Sequence, residues 1–265
     1  MSKIAIYIVR YRETDKLYKC LDSVKKCGDS SGVPVYVINN YGTLELPDEY
    51  KCVTVLNNVT RPDFSTGHLS RNWNQAIING FQDLNSPRYD KIVAIQADVE
   101  LADAWYEHVV HLNENIKYLA CGRGDEFQIF TPEGVKAVGI YDERFCNIGH
   151  QEADYFLRNL LIQRDTCCIL DKPHGRFHCP AQFSNVNVED FIVPSIGCAN
   201  EDHIKSAVYH DISNRWFSTK WGNTGVVWRD HWNNNDAVRE LCPFKKEVMY
   251  YPYFEKDIRR DLYVY

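Results

Sequence analysis

Residues 92 to 105 read I-V-A-I-Q-A-D-V-E-L-A-D-A-W. An apolar strand ends on an amide, Gln96, and runs into two carboxylates, Asp98 and Glu100, before a helical pattern starts. If the chain stays extended there, the two carboxylates point to one side, because strand side chains alternate between faces. A second acidic pair, Glu152 and Asp154 in H-Q-E-A-D-Y-F-L-R, opens another helical pattern. Two positions along a helix lie about 200° apart, so these two cannot share a face. Asp154 stands four residues before Arg158 and can pair with it, which leaves Glu152 to face a cleft and take up a proton. The plainer roles are a solvated turn or cap for Asp98 and a first-turn carboxylate favoured by the helix dipole for Glu152. Asp103 is the better cap candidate.

The elements that must position these groups follow from periodicity. Strands are expected at Ile4 to Val9, Val33 to Ile38, Lys51 to Leu56, Ile92 to Ile95, Phe127 to Phe130 and Thr166 to Leu170. Helical spacing marks Leu17, Cys20, Leu21 and Val24 after Thr14, then Leu69, Trp73, Ala76, Ile77 and Phe81. Further helices are expected over 102–115, 132–138, 151–162 and 203–220. Strands alternating with such helices predict an α/β fold with a central, mainly parallel sheet covered on both faces. Ligands of such sheets bind at the carboxyl ends of the strands. Those ends carry Val9, Arg10 and Tyr11, then Asn39 and Asn40, then Asn57 and Asn58, then Gln96, Ala97 and Asp98. This is a polar rim on an apolar sheet. No G-x-G-x-x-G and no G-x-x-x-x-G-K-[ST] occurs at these turns, which counts against a dinucleotide-binding fold and a P-loop.

Composition narrows the class. The chain has 265 residues, 45% apolar and 25% charged, and a net charge of -6. That size suits one large domain, here expected over 1–265 with a loop-rich C-terminal region. The acidic balance argues against nucleic acid as a partner. No apolar run is long enough to cross a bilayer, and the N-terminus reads as a strand rather than a signal peptide, so a cytosolic setting is expected. The ten cysteines are then mostly free thiols. Cys167, Cys168, His174, His178 and Cys179 could ligate zinc, but their spacing fits no standard knuckle, and a strand with a polar loop is the simpler reading.

Four segments in order carry a resemblance. They are S-R-N-W-N-Q-A at 70–76, A-I-Q-A-D-V-E-L at 94–101, V-G-I-Y-D-E-R-F-C-N-I-G-H-Q-E-A-D-Y-F-L-R at 138–158, and F-S-T-K-W-G at 217–222. Together they resemble the GT-A glycosyltransferases of the family-2 type, with A-R-N-x-G, D-x-D, G-x-F-D-E-x-F with E-D-x-D-L-x-x-R, and K-W-G. The likeness spans roughly residues 3 to 222. It departs at Gln96, where the family's metal motif has Asp, at Asn39, where an acid is usual after the second strand, and at Glu152, which replaces the Asp of the E-D pair.

The resemblance implies an inverting transfer of a sugar from a nucleotide diphosphate, by default a UDP-sugar, to a hydroxyl of a glycan acceptor. Charge builds on the leaving diphosphate, and a hard cation, Mn²⁺ or Mg²⁺, answers it through oxygen ligands. Asp98 and Glu100 would hold that ion, with His210 as a third ligand over His203, His231 and His150. Glu152 would be the general base. Val9, Arg10, Tyr11, Asn39, Asn40, Arg71, Gln96 and Ala97 would line the nucleotide side, within a donor-binding half at 1–100. Lys220 and Trp221, with Trp216, would shape the phosphate or acceptor side within 101–265. Three alternatives stand beside this reading: a retaining transferase, a sugar nucleotidyltransferase, and a non-catalytic binding protein on a decayed transferase fold, which Gln96 and Asn39 favour. The abundance of Asn and Tyr would suit a chain encoded by a large DNA virus and acting in the host cytoplasm.

Overall fold

The computed structural model describes residues 3–12, 14–26, 32–58, 69–122, 124–145, 150–162, 166–170, 176–178, 183, 185–193 and 207–221, with the backbone alone for 160–162, 166–170, 176–178, 207–210 and 221. Strand β1, Ile4–Arg10, is buried at all seven positions. Such a run without polar alternation belongs in a sheet covered on both faces. Its side chains divide accordingly. Ala5, Tyr7 and Val9 join one core with Trp73, Ile77, Phe81, Tyr141 and Phe156. Ile4, Ile6 and Ile8 join another with Leu17, Leu21, Trp105 and Phe191.

On either side of β1 lie β2, Val35–Asn39, and β4, Lys91–Gln96, both parallel to it. Strand β3, Thr54–Asn57, extends the parallel set beyond β2. Beyond β4 the direction changes. Strand β6, Phe127–Phe130, runs antiparallel to β4 and to β5, Tyr118–Gly122. Strands β7, Thr166–Leu170, and β8, Arg176–His178, complete an eight-stranded sheet in the order β3-β2-β1-β4-β6-β5-β7-β8 among the described residues. The sheet is therefore mixed, with its parallel part where the polar rim lies.

Helix α1, Thr14–Lys26, covers one face, and α2, Leu69–Phe81, covers the other. At Gly80 a Cβ would stand 2.3 Å from Ile92 Cδ1, so glycine is what lets α2 lie this close to β4. Helix α4, Pro132–Val138, is capped by Thr131, whose hydroxyl accepts the Gly134 N–H at 3.1 Å. Helices α5, His150–Ile162, and α6, Ala207–Trp221, follow.

Two expectations change. The long helix expected over 102–115 is a single short α3, Trp105–Val110, capped at Ala104 without a side-chain bond, so Asp103 caps nothing. Residues 97–104 instead form a strap. The Leu101 N–H donates to Ser23 Oγ at 3.0 Å, and Leu101 bridges to Ile192. Val99 and Leu101 of the strap pack with Trp105 in the core on this face of the sheet. The second change is two strands absent from the sequence reading: β5, whose five residues are all buried, and β8, which lies in the stretch expected as loop.

Candidate active site

Strand register aligns the rim. Arg10 is opposite Asn39, Asn39 opposite Asn57, and Val9 opposite Gln96. Because β6 runs the other way, its entrance, Asp125 and Glu126, arrives at the same edge, where the Gln96 N–H donates to the Glu126 carbonyl at 3.1 Å.

The Arg10 guanidinium is buried and donates to Asn39 Oδ1 at 2.6 Å, the Tyr41 and Arg12 carbonyls at 2.9 and 3.0 Å, and Thr14 Oγ1 at 2.9 Å. It thus holds the turns after β1 and β2 in place rather than reaching outward. Asn39 in turn donates to the Gly42 carbonyl at 2.8 Å and to Asn57 Oδ1 at 2.7 Å. A carboxylate there could not make the bond to Gly42, because a carbonyl can only accept. That is the physical reason for an amide at this position. Asn40 is likewise engaged, donating to the Arg10 carbonyl at 3.2 Å and accepting from Asn58 at 3.0 Å. What these bonds present outward is aromatic: Tyr11 and Tyr41 meet edge to face at 5.7 Å, and the Arg12 guanidinium stands 5.0 and 5.2 Å from the two rings.

The centre of the site is a residue absent from the sequence reading. Asp125, 1% exposed, accepts from Trp73 Nε1 at 2.7 Å, Gln96 Nε2 at 3.1 Å and Gln151 Nε2 at 3.4 Å. Glu152, partly exposed, is hydrogen-bonded to it. Burial raises both carboxyls above the ordinary range, Glu152 strongly, and the charges of Asp125 and Glu126 raise Glu152 further. So Glu152 is not the free carboxylate that helix geometry alone suggested. Gly124, at φ +76°, makes room for it: a Cβ there would stand 2.6 Å from Glu152 Oε1. The available signal was G-R-G-D-E at 122–126, a carboxylate following two glycines at a strand entrance, and it was hidden by the missed β5.

Behind Glu152 stands a buried ion cluster. Asp154 pairs with Arg158 at 3.0 Å, as its spacing implied. Lys220 Nζ lies 2.7 Å from Asp154 Oδ1 and 2.8 Å from Asp142 Oδ2. Burial opposes the Asp142 charge, yet Arg144 and Lys220 together hold its carboxyl well below the usual range. Lys220 therefore ties α6 to the Y-D-E-R turn and α5 instead of reaching a phosphate. Trp216 is covered by the Arg144 guanidinium, 4.3 Å from its ring. Arg71 is exposed, its Nε 3.5 Å from Glu143. Asn74 clamps the same turn, donating to the Tyr141 carbonyl at 2.9 Å and accepting from the Tyr141 N–H at 2.7 Å.

Of the expected metal ligands, Asp98 and Glu100 are not brought together. The chain turns at Gln96, where the Val99 N–H donates to the Gln96 carbonyl at 3.1 Å, so Asp98 and Glu100 do not share an extended face. Glu100 reaches Lys26 at 3.5 Å on the surface. Asp98 stays half-buried at the turn. The side chains of His210, Trp221, Cys167, Cys168, His174, His178 and Cys179 lie outside what the structure describes. Among the described residues no three His, Cys, Asp or Glu side chains converge as a cation site. A single carboxylate still fits a cation that arrives with a diphosphate, because Mg²⁺ and its like are commonly held by one or two carboxylates plus substrate phosphates.

The overall fold has counterparts among solved structures. Staphylococcus aureus TarS, residues 1–349, superposes with a TM-score of 0.51 at 8% identity, over 92% of this chain and 72% of that one. Its complex with UDP-GlcNAc gives 0.51 and 8%, over 87% and 70%. The fold is that of the GT-A glycosyltransferases. A mannosyltransferase from Pyrobaculum calidifontis, in complex with GDP-Man and Mn²⁺, is similar more loosely, with a TM-score of 0.47 and 12% identity over 89% and 74%. No family model matches the chain, and no curated protein matches it.

Proposed function

We propose that the chain is an inverting glycosyltransferase that moves a sugar from a nucleotide-diphosphate sugar, a UDP-sugar by preference, to a hydroxyl of a glycan. The observation that carries this reading is the Glu152 carboxyl at the strand-tip edge of a GT-A sheet, hydrogen-bonded to Asp125 on a residue that is itself partly exposed. The TarS structure in complex with UDP-GlcNAc supports the choice of donor class. In this reading the base stacks at Tyr11, Tyr41 and Arg12, on turns that Arg10, Asn39 and Asn40 hold rigid, and Val9 and Ala97 line the floor beneath it. Arg71, on the first turn of α2, supplies charge toward a phosphate. Asp98 faces the diphosphate, and a bound Mn²⁺ or Mg²⁺ would supply Lewis-acid stabilisation of the leaving group there. The acceptor hydroxyl loses its proton to the Glu152 side, and attack opposite the leaving group inverts the anomeric centre. Residues 1–100 would carry the donor and 101–265 the acceptor and base. The work would be done in the cytosol; among the described residues no helix is long and apolar enough to cross a membrane.

The test is incubation with a panel of nucleotide sugars and Mn²⁺, scored for donor hydrolysis and thermal shift. One donor hydrolysed, with turnover lost in Glu152→Ala, supports the reading. A second reading has a specific observation behind it: Glu100 is paired with Lys26 and Gln96 is neutral, so a chain that binds a nucleotide sugar without turning it over would show the shift and no hydrolysis.

A further inference from the structure

We propose that Asp125 is the positioning residue of the base: it is the ionised member of a buried carboxyl pair, holds a proton on Glu152, and is the group to which that proton passes when the acceptor hydroxyl is deprotonated. The inference rests on the transferase reading for its last step only.

The assignment of the proton comes from donors and acceptors. Trp73 Nε1 and Gln151 Nε2 donate to Asp125 Oδ2, and Gln96 Nε2 donates to Oδ1. An indole N–H can only donate, and the two amides present their NH₂ groups. These donors come from α2, the tip of β4 and the first turn of α5. A site of three donors selects a carboxylate, since a protonated Asp125 would add a fourth hydrogen that itself needs an acceptor. Glu152 meets this carboxylate directly, and two adjacent carboxylates cannot both be ionised at low cost, so the Glu152 oxygen on Asp125 is the one that carries the hydrogen. The other charged and titratable groups agree. Glu126, in the same turn, adds negative charge that disfavours ionising Glu152. The Tyr141 hydroxyl, from the turn clamped by Asn74, donates to Gln128 and stays a neutral phenol raised well above its ordinary value, chiefly by burial.

The same arrangement gives a proton route. Glu152 is partly exposed, whereas Asp125 is sealed, so an acceptor reaches Glu152 alone. As the acceptor oxygen bonds to the anomeric carbon, the bond to the diphosphate breaks and its electron pair leaves on the phosphate oxygen. The hydroxyl proton goes to the outer oxygen of Glu152, while the proton already on Glu152 passes to Asp125. One proton enters the pair and its net charge goes from -1 to zero, with no further reactant.

The deciding readout needs no substrate. Infrared difference spectra at pH 7 between wild type and Glu152→Gln report whether Glu152 carries a proton. The expected result is a protonated-carboxyl carbonyl band in wild type that Glu152→Gln lacks. In Asp125→Asn the band at pH 7 is lost, because the repelling charge is gone and the new amide can donate to an ionised Glu152. An Asp125 that only braced the fold would leave the Glu152 titration where it was. Absence of the band in wild type overturns the proposal, and so does an unchanged Glu152 titration in a folded Asp125→Asn. If Asp125→Asn does not fold, the comparison of wild type with Glu152→Gln decides alone. With a donor in hand, the rising limb of the wild-type pH–rate profile reports the first ionisation of the pair, and in Asp125→Asn it reports Glu152 alone. The band without turnover of any donor defeats the transferase reading and keeps the pair. Turnover without the band does the reverse.

Discussion

The Gln96 side chain donates to Asp125 Oδ1 at 3.1 Å across the β4–β6 boundary. The acid that the metal motif of similar transferases carries on the strand tip is an amide here, and a carboxylate stands opposite it on the neighbouring strand entrance. Exchanging the residue back is therefore unfavourable. Gln96→Asp would face Asp125 with a like charge and remove one of its donors. The expected loss is about 1–3 kcal/mol, the cost of a buried group left without its partner. A denaturant midpoint that falls in Gln96→Asp, and recovers in part when a divalent cation is added, fits this account; an unchanged midpoint contradicts it.

Lys220 is held between two buried aspartates, with its own charge opposed by burial. Truncating it leaves Asp142 and Asp154 with less compensation inside the protein. Lys220→Met is expected to destabilise by roughly 3–5 kcal/mol, as for a broken buried pair. Thermal unfolding reads this directly. A variant as stable as wild type but unable to bind a nucleotide would return Lys220 to the phosphate side.

The pH dependence of stability separates two carboxyls of opposite sign. The Asp142 carboxyl is depressed in the folded protein, so its contribution is present above its unfolded value and is lost as pH falls toward the folded one. Glu152 is raised, so its contribution is full below its unfolded value and is lost as pH rises through the folded one. Melting curves across pH should show wild type losing ground to Glu152→Gln from weakly acid to alkaline pH. Parallel curves would mean that Glu152 ionises as freely folded as unfolded.

Tyr41 is 43% exposed beside Tyr11 and Arg12, at the carboxyl ends of β1 and β2. Removing the ring in Tyr41→Ala should weaken UDP binding by about tenfold, in line with roughly 1–3 kcal/mol for a base–aromatic stack. Calorimetry with UDP measures this. Equal affinity in the two proteins would move the base elsewhere on the rim.

Much of this architecture could be read from the chain alone, where one residue's role depends on its near neighbours. The unbroken apolar run Ile4 to Val9 announces a strand buried on both faces, and Asp154 and Arg158 announce their pair. Roles set by distant partners were illegible. Asp125 takes its meaning from Trp73, Gln96 and Gln151, which lie 52, 29 and 26 residues away. Lys220, expected to shape the phosphate or acceptor side, is placed by α6 on Asp142, 78 residues away. Glu100 followed strand logic that the turn at Gln96 breaks, and α3 keeps only Trp105–Val110 of the expected 102–115, its start being taken by the strap on the sheet. Asn39 and Gln96, which as isolated letters suggested decay, are explained by acceptors and carboxylates in contact with them.

The most direct test of the central claim is hydrolysis and transfer of UDP-sugars by wild type and Glu152→Gln, with UDP affinity measured in both. The account predicts turnover in wild type, a loss of at least about a hundredfold in Glu152→Gln, as for a general base, and equal UDP affinity. Undiminished turnover in Glu152→Gln, with the protein folded and UDP bound, would contradict it.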